Sequence, residues 1–292
     1  MNAAIRVGLH ALLLALFSVH HAVADGIEVV DNKQRLVRLT VPAERIISLA
    51  PHTTELLFSA GAGDRVIAAV SYSDYPATAK SLPRVGSYDR IDLERVLALQ
   101  PDLIVGWPSG NPGGALDFLQ RHSIPLFLSE PLSFDDIADN IRKLGHLTGN
   151  DEKAELAAAG FEQRMASLGQ RYRNATPVRV FYQVWQEPLM TISGEHIISK
   201  VLALCGGHNL FPNLPRLASS IGLEAVLAAD PEAIIMPSSN PQWRELWRRW
   251  PQLRAVSDDR LLVINPDHLS RPTLRVADGA EEVCRKLQGE AE

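Results

Sequence analysis

The stretch Ile91-Asp-Leu-Glu94-Arg-Val-Leu-Ala-Leu-Gln-Pro101-Asp-Leu-Ile-Val105 is repeated 130 positions later as Ile221-Gly-Leu-Glu224-Ala-Val-Leu-Ala-Ala-Asp-Pro231-Glu-Ala-Ile-Ile235, with eight identities. A shorter echo precedes each copy: Leu82-Pro-Arg-Val85 and Leu214-Pro-Arg-Leu217. A single repetition is too sparse for a solenoid, which needs several stacked units to bury its core. It fits a chain of two similarly built halves, each offering an acidic surface point at the same place, Glu94 and Glu224. Helix–Pro–strand junctions can converge by propensity, but that accounts for the apolar matches better than for the matched Glu.

On either side of this motif, strand and helix signals alternate. After a hairpin over 28–41 that turns at Asp31-Asn32, strands are expected at 45–49, 66–70, 103–106 and 125–128. Helices are expected at 53–60, 93–99, 116–122 and 134–147, the last with apolar spacing at Ile137, Ile141 and Leu144. Beyond Thr176-Pro177 a second series places strands at 178–184, 233–236 and 261–264 among helices at 197–204, 223–229, 242–250 and 274–287. Such alternation implies parallel, helix-covered sheets. Between the two series, residues 150–173 read as one helix that opens on Asn150 and Asp151-Glu152 and carries Leu156, Phe161, Met165, Leu168 and Tyr172. It would be roughly 35 Å long at 1.5 Å per residue. The expected fold is therefore α/β: two similar lobes, 25–149 and 175–292, joined by one long α-helix over 150–174.

Residues 1–24 read as an export signal, with Arg6, an apolar run Ala11-Leu-Leu-Leu-Ala-Leu-Phe17, and Ala22-Val-Ala24 before Asp25. The apolar run is short for a transmembrane span of roughly 20 residues. No Cys follows it, which excludes a lipid anchor on Cys, and a free exported protein points to the periplasm. The full chain carries 29 Lys and Arg against 34 Asp and Glu. Losing Arg6 with the signal leaves 28 − 34 = −6, which argues against a nucleic-acid partner. The two cysteines, Cys205 and Cys284, are 79 positions apart. In an oxidising compartment a disulfide is the default, with two separate buried thiols as the alternative. The chain-entropy stabilisation for that span is about 4–5 kcal/mol.

Enzyme signatures are poor. Gly61-Ala-Gly63-Asp-Arg-Val66 imitates a dinucleotide loop, but it follows a helix and Val stands in the third Gly position. Ser109 in Gly106-Trp-Pro-Ser-Gly110 is no nucleophile elbow. The six His outside the signal show no local metal-ligand spacing, so no metal site is expected. Aromatic and polar loops say more: Ser71-Tyr72-Ser-Asp74-Tyr75-Pro76, Gly86-Ser-Tyr88-Asp-Arg90, Gly106-Trp107-Pro-Ser-Gly-Asn111 and Pro266-Asp267-His268-Leu-Ser-Arg271. Three of them follow strand ends, where α/β sheets bind ligands, and aromatic faces with a few polar anchors suit a large flat ligand.

At these residues, together with Asp92-Leu-Glu94-Arg-Val and Leu204-Cys-Gly-Gly-His-Asn-Leu-Phe211, the chain resembles the periplasmic ligand-binding proteins of ABC importers for iron chelates, haem and vitamin B12. Within that family it is most similar to the members that carry cobalamin. The resemblance covers nearly all of 44–288. It implies a cleft between the lobes that holds a corrinoid as transported ligand and not as a cofactor, with haem or a ferric siderophore as the alternative cargo. It implies a Cys205–Cys284 disulfide, and a ligand site containing Tyr72, Tyr88, Trp107, Asp267, His268 and Arg271. Glu94 and Glu224 would dock on an inner-membrane permease dimer with its ATPase subunits, and the free protein would be a monomer without enzymatic activity. Tyr88 stands where the cobalamin-carrying members lead one to expect Trp, an aromatic expected near Ala218 is missing, and His268 and Leu269 replace aromatics in the contact loop.

Overall fold

The structure is a computed structural model that describes residues 26–290 apart from 239 and 241, so the expected signal lies outside the described residues. Each lobe is built on a four-stranded parallel sheet. Across the first sheet the strands run Val66–Ala69, Ile46–Ser48, Leu103–Gly106 and Leu126–Leu128. Across the second they run Gly207–Asn209, Val178–Tyr182, Ala233–Pro237 and Leu261–Ile264. In chain order both sheets read second, first, third, fourth. The repeated stretch supplies the same unit to each, a short helix (Leu93–Ala98 or Leu223–Ala229) leading into the third strand.

Physical chemistry explains why that unit is repeatable. An interior parallel strand is covered on both faces and must be apolar throughout. Accordingly Leu103, Ile104 and Val105, and their counterparts Ala233, Ile234 and Ile235, are all fully buried. The short helices turn Val96 and Val226 inward and leave Glu94 and Glu224 exposed.

The connecting helix spans Asp151–Arg171, about 31 Å at 1.5 Å per residue. Its buried stripe is Ala154, Ala158, Phe161, Met165 and Leu168, alternating steps of four and three as a helix face requires. Leu156, expected on that stripe, is instead exposed, because it falls between the rows that face the lobes. The stripe belongs to one continuous apolar core that runs from Leu56 and Ile141 in the first lobe to Val201 and Val283 in the second. Arg142 ties the preceding helix, Phe134–Leu147, to the connector through Glu155 and Glu162 at 2.6 Å.

Cys205 and Cys284 form a disulfide that fastens the end of helix Ile197–Leu204 to the C-terminal helix Val276–Leu287, both cysteines being fully buried. Several short elements escaped the sequence pattern. They are the antiparallel pairs Met190–Ile192 with Ala218–Ser220 and Gly86–Ser87 with Arg90–Ile91, and the three-residue strand Gly207–Asn209. Two or three residues are too few to show a period of two. No helix among the described residues is long and apolar enough to cross a membrane.

Candidate ligand cleft

Between the lobes lies a cleft of about 520 Å³. The first lobe lines it with Trp107, Ser109, Glu130, Pro131 and Leu132; the second lines it with His196, Ile197, Arg216 to Ala218, Leu269, Ser270 and Pro272. The volume lies within the range of small-molecule sites, roughly 300–1,000 Å³.

Trp107 is held on every side. It follows the strand Leu103–Gly106, and its backbone N–H donates to Asn111 Oδ1 at 2.7 Å. The Asn111 amide in turn donates to the carbonyls of Leu49 and Tyr88, both at 2.8 Å, so one buried side chain gathers three loops. The Trp107 indole N–H donates to Glu130 Oε1 at 3.0 Å. The same carboxylate accepts from the Ser109 hydroxyl and backbone N–H, each at 2.9 Å. Gly110 is obligatory, since a Cβ there would stand 1.9 Å from the indole ring. His52 meets the ring edge-on at a centroid distance of 5.4 Å, and Tyr88 lies against it at 5.7 Å. The result is a preset aromatic shelf.

His52 is buried at 3% exposure, and that burial pushes its imidazole down to about 4. Across the cleft, burial likewise pushes His196 down to about 4. Both rings are neutral at physiological pH.

The loop 71–76 is locked from below by buried hydroxyls: Ser48 bonds Thr53 at 2.6 Å and Thr54 at 2.7 Å, and Thr54 donates to Ser73 at 2.9 Å. Tyr72 sits in the left-handed region at φ 65° and is 71% exposed. Such a conformation is uncommon for a bulky residue and persists only where its surroundings enforce it. Arg271 supplies the enforcement, donating to the Tyr72 carbonyl at 2.9 Å.

Arg271 also pairs with Glu55 at 2.9 Å and with Asp74 at 2.7 Å. Its second-lobe neighbours join it on the same carboxylate: Thr273 donates to Glu55 at 2.9 Å, and Arg275 pairs with Glu55 and covers the Tyr75 ring at 4.3 Å. Glu55 is 2% exposed. Two arginines and two carboxylates thus form a neutral clasp across the lobe junction. A buried carboxylate is tolerable only with such pairing and hydrogen bonding.

Of the six expected ligand residues, the structure brings Trp107 to the cleft with Tyr88 against it. Tyr72 stands exposed at the lobe junction. Arg271 is engaged in the clasp, and His268 lines a separate charged depression with Arg164, Glu282 and Arg285. Asp267 is exposed at the start of the short helix Pro266–Leu269, whose neighbours Leu269, Ser270 and Pro272 are the parts that reach the cleft. Glu55, Glu130, His196, Arg216 and Arg275 were not singled out from the sequence. Glu130 alone had a readable signal, since it follows the strand Leu126–Leu128 as the other cleft loops follow theirs. Among the described residues no cluster of His, Cys, Asp or Glu could hold a metal ion.

Comparison with known proteins places this architecture. The family model for periplasmic binding proteins matches residues 46–261. The chain belongs to the periplasmic binding protein family. Among members of that family, the vitamin B12-binding protein of Vibrio cholerae serotype O1 is 40% identical over 248 residues, covering 85% of this chain and 90% of that protein. The vitamin B12-binding protein of Yersinia pestis is 38% identical over 253 residues, covering 85% of this chain and 89% of that protein. The crystal structure of the periplasmic vitamin B12-binding protein of Vibrio cholerae superposes with a TM-score of 0.80 at 40% identity, covering 84% of this chain and 97% of that one. The periplasmic haem-binding protein of Roseiflexus shares the fold at a TM-score of 0.74 and 22% identity, with 85% of this chain and 98% of that one covered. By their names these relatives are binding proteins, not enzymes.

Proposed function

We propose that the protein is the substrate-binding component of an ABC importer, released into the periplasm, where it captures a corrinoid between its lobes and delivers it to an inner-membrane permease. The observation that carries this reading is the preset Trp107–Tyr88 shelf at the cleft between the lobes, in a chain 40% identical to a vitamin B12-binding protein over most of both lengths. A shelf fixed before the ligand arrives loses little side-chain entropy on binding. Ligand contact is assigned to Trp107 in the cleft with Tyr88 against its ring, and to Tyr72 at the lobe junction. Glu94 and Glu224 support docking: both are exposed, at equivalent places of the two lobes, and neither forms an ion pair among the described residues.

Isothermal titration of the purified mature protein with cyanocobalamin, haemin and a ferric siderophore tests the reading. One-to-one binding of cyanocobalamin, tighter than the other two, is expected. Tighter binding of haemin or the siderophore would replace the corrinoid as cargo.

A further inference from the structure

The two walls of the cleft differ in what they leave unsatisfied. On the first-lobe wall the Glu130 carboxylate already accepts from the Trp107 indole and from both polar groups of Ser109. On the second-lobe wall, two nitrogen donors have no partner among the described residues. Arg216 lines the cleft, is exposed, and makes no ion pair or side-chain hydrogen bond among the described residues. His196 also lines the cleft and caps the helix Ile197–Leu204, where its Nδ1 accepts from the Ile198 N–H at 3.2 Å. An imidazole that accepts at Nδ1 while neutral carries its proton on Nε2. That Nε2–H has no partner among the described residues. The backbone holds the two side chains on adjoining turns of one wall: Ser193 N–H donates to Leu217 O at 2.9 Å, and Ile192 pairs with Ala218.

From this arrangement we infer that Arg216 and His196 form an anion-recognition point for the cargo, a cationic fork with one neutral donor beside it, facing a wall whose one carboxylate, Glu130, is engaged by the Trp107 indole and Ser109. A guanidinium suits a phosphate or a carboxylate because its N–H groups match two oxygens at once. In a corrinoid the group of this chemistry is the phosphodiester of the nucleotide tail; in haem it is a propionate. The inference rests on the proposed reading of the cleft as the cargo site.

The test compares ligands with and without the anionic group, and because dicyanocobinamide lacks the whole nucleotide tail, it is the Arg216 variant that isolates the anion. Cyanocobalamin carries the phosphodiester and dicyanocobinamide lacks it; haemin carries free propionates and its dimethyl ester does not. The wild-type protein is expected to prefer the anionic member of whichever pair it binds, and Arg216→Gln is expected to shrink that preference by about tenfold, or about 1.4 kcal/mol. Raising the salt should shrink the wild-type preference and leave that of the variant nearly flat. His196→Asn keeps an oxygen able to cap the helix but loses the Nε2–H. It should weaken binding of the anionic ligand severalfold at an unchanged melting temperature. A preference that Arg216→Gln leaves at its wild-type size overturns the anion point while the cargo reading stands. A wild-type protein that binds none of the four ligands overturns the cargo reading itself, and the anion point with it.

Discussion

Glu55 and Arg275 stand 220 positions apart in the chain and meet in a two-point pair across the lobe junction, with Arg275 Nε donating to Glu55 Oε2 at 2.9 Å and Nη2 to Oε1. Arg271 and Thr273 bind the same carboxylate, so the second lobe satisfies a first-lobe acid from three side chains. Removing the acid strands the partly buried Arg275 guanidinium, while Arg271 keeps Asp74 and the Tyr72 carbonyl. Glu55→Ala is expected to destabilise the protein by about 3–5 kcal/mol, the usual cost of breaking a buried ion pair from one side. Urea unfolding of the variant beside wild type measures it; a loss below about 1 kcal/mol, the worth of an exposed pair, would reduce the clasp to a surface contact.

The same clasp and the continuous core along the connector leave little freedom between the lobes. Large closures use a few loop residues that absorb big backbone changes, whereas here a 21-residue helix is packed into both lobes. Small-angle scattering with and without saturating cyanocobalamin should give nearly the same radius of gyration. A wide contraction on loading would show that the helix is not the rigid element.

Trp107 should dominate the affinity for a flat cargo. Trp107→Ala removes the shelf and is expected to weaken cyanocobalamin binding by at least about tenfold, near 1.4 kcal/mol. Glu130→Gln keeps an acceptor for the indole N–H while removing the charge, so its effect should be the smaller of the two. Calorimetric titration separates them, and equal losses would mean that Glu130 touches the ligand itself.

Glu94 and Glu224 should act on delivery and not on capture. A Glu in the first turn of a helix contributes only about 0.3–1 kcal/mol to that helix. Reversing both to Lys should therefore leave the melting temperature and ligand affinity nearly unchanged. At a docking surface, charge reversal costs several kcal/mol through like-charge contact, so the double variant should fail to stimulate uptake by reconstituted permease. Full uptake with the double variant would make the repeated Glu a helix-start residue and nothing more.

His52 gives stability a pH dependence of definite sign. Its burial lowers the folded-state value from 6.5 to about 4, so the unfolded chain binds the proton more readily. The stabilisation is fully present above pH 6.5 and is lost as the pH falls towards 4, by about 3 kcal/mol in total. His52→Phe should reduce the slope across that window but not abolish it, since His196 is lowered to the same value, as read by unfolding at a series of pH values. A variant that retains the wild-type slope would place the titrating group elsewhere, with His196 next to test.

The sequence by itself carried the architecture because that information is local and periodic. The copies at 91–105 and 221–235 announce two lobes, since each interior strand must be apolar throughout and each lead-in helix must turn one valine inward. The long helix was legible from its uninterrupted pattern, and the cleft loops from aromatics placed after strand ends. What only the tertiary structure decided are the pairings between residues far apart in the chain. Nothing near Glu55 in the sequence says that its partners are Arg271, Thr273 and Arg275, nor that the Arg271 guanidinium reaches the other lobe and the Tyr72 backbone. Nor does a lone Glu130 or Arg216 reveal that three donors hold the one while no side chain among the described residues pairs with the other. Satisfaction of a polar group depends on which atoms lie within about 3 Å of it, and that is fixed when the two lobes pack, not by the order of residues along either one.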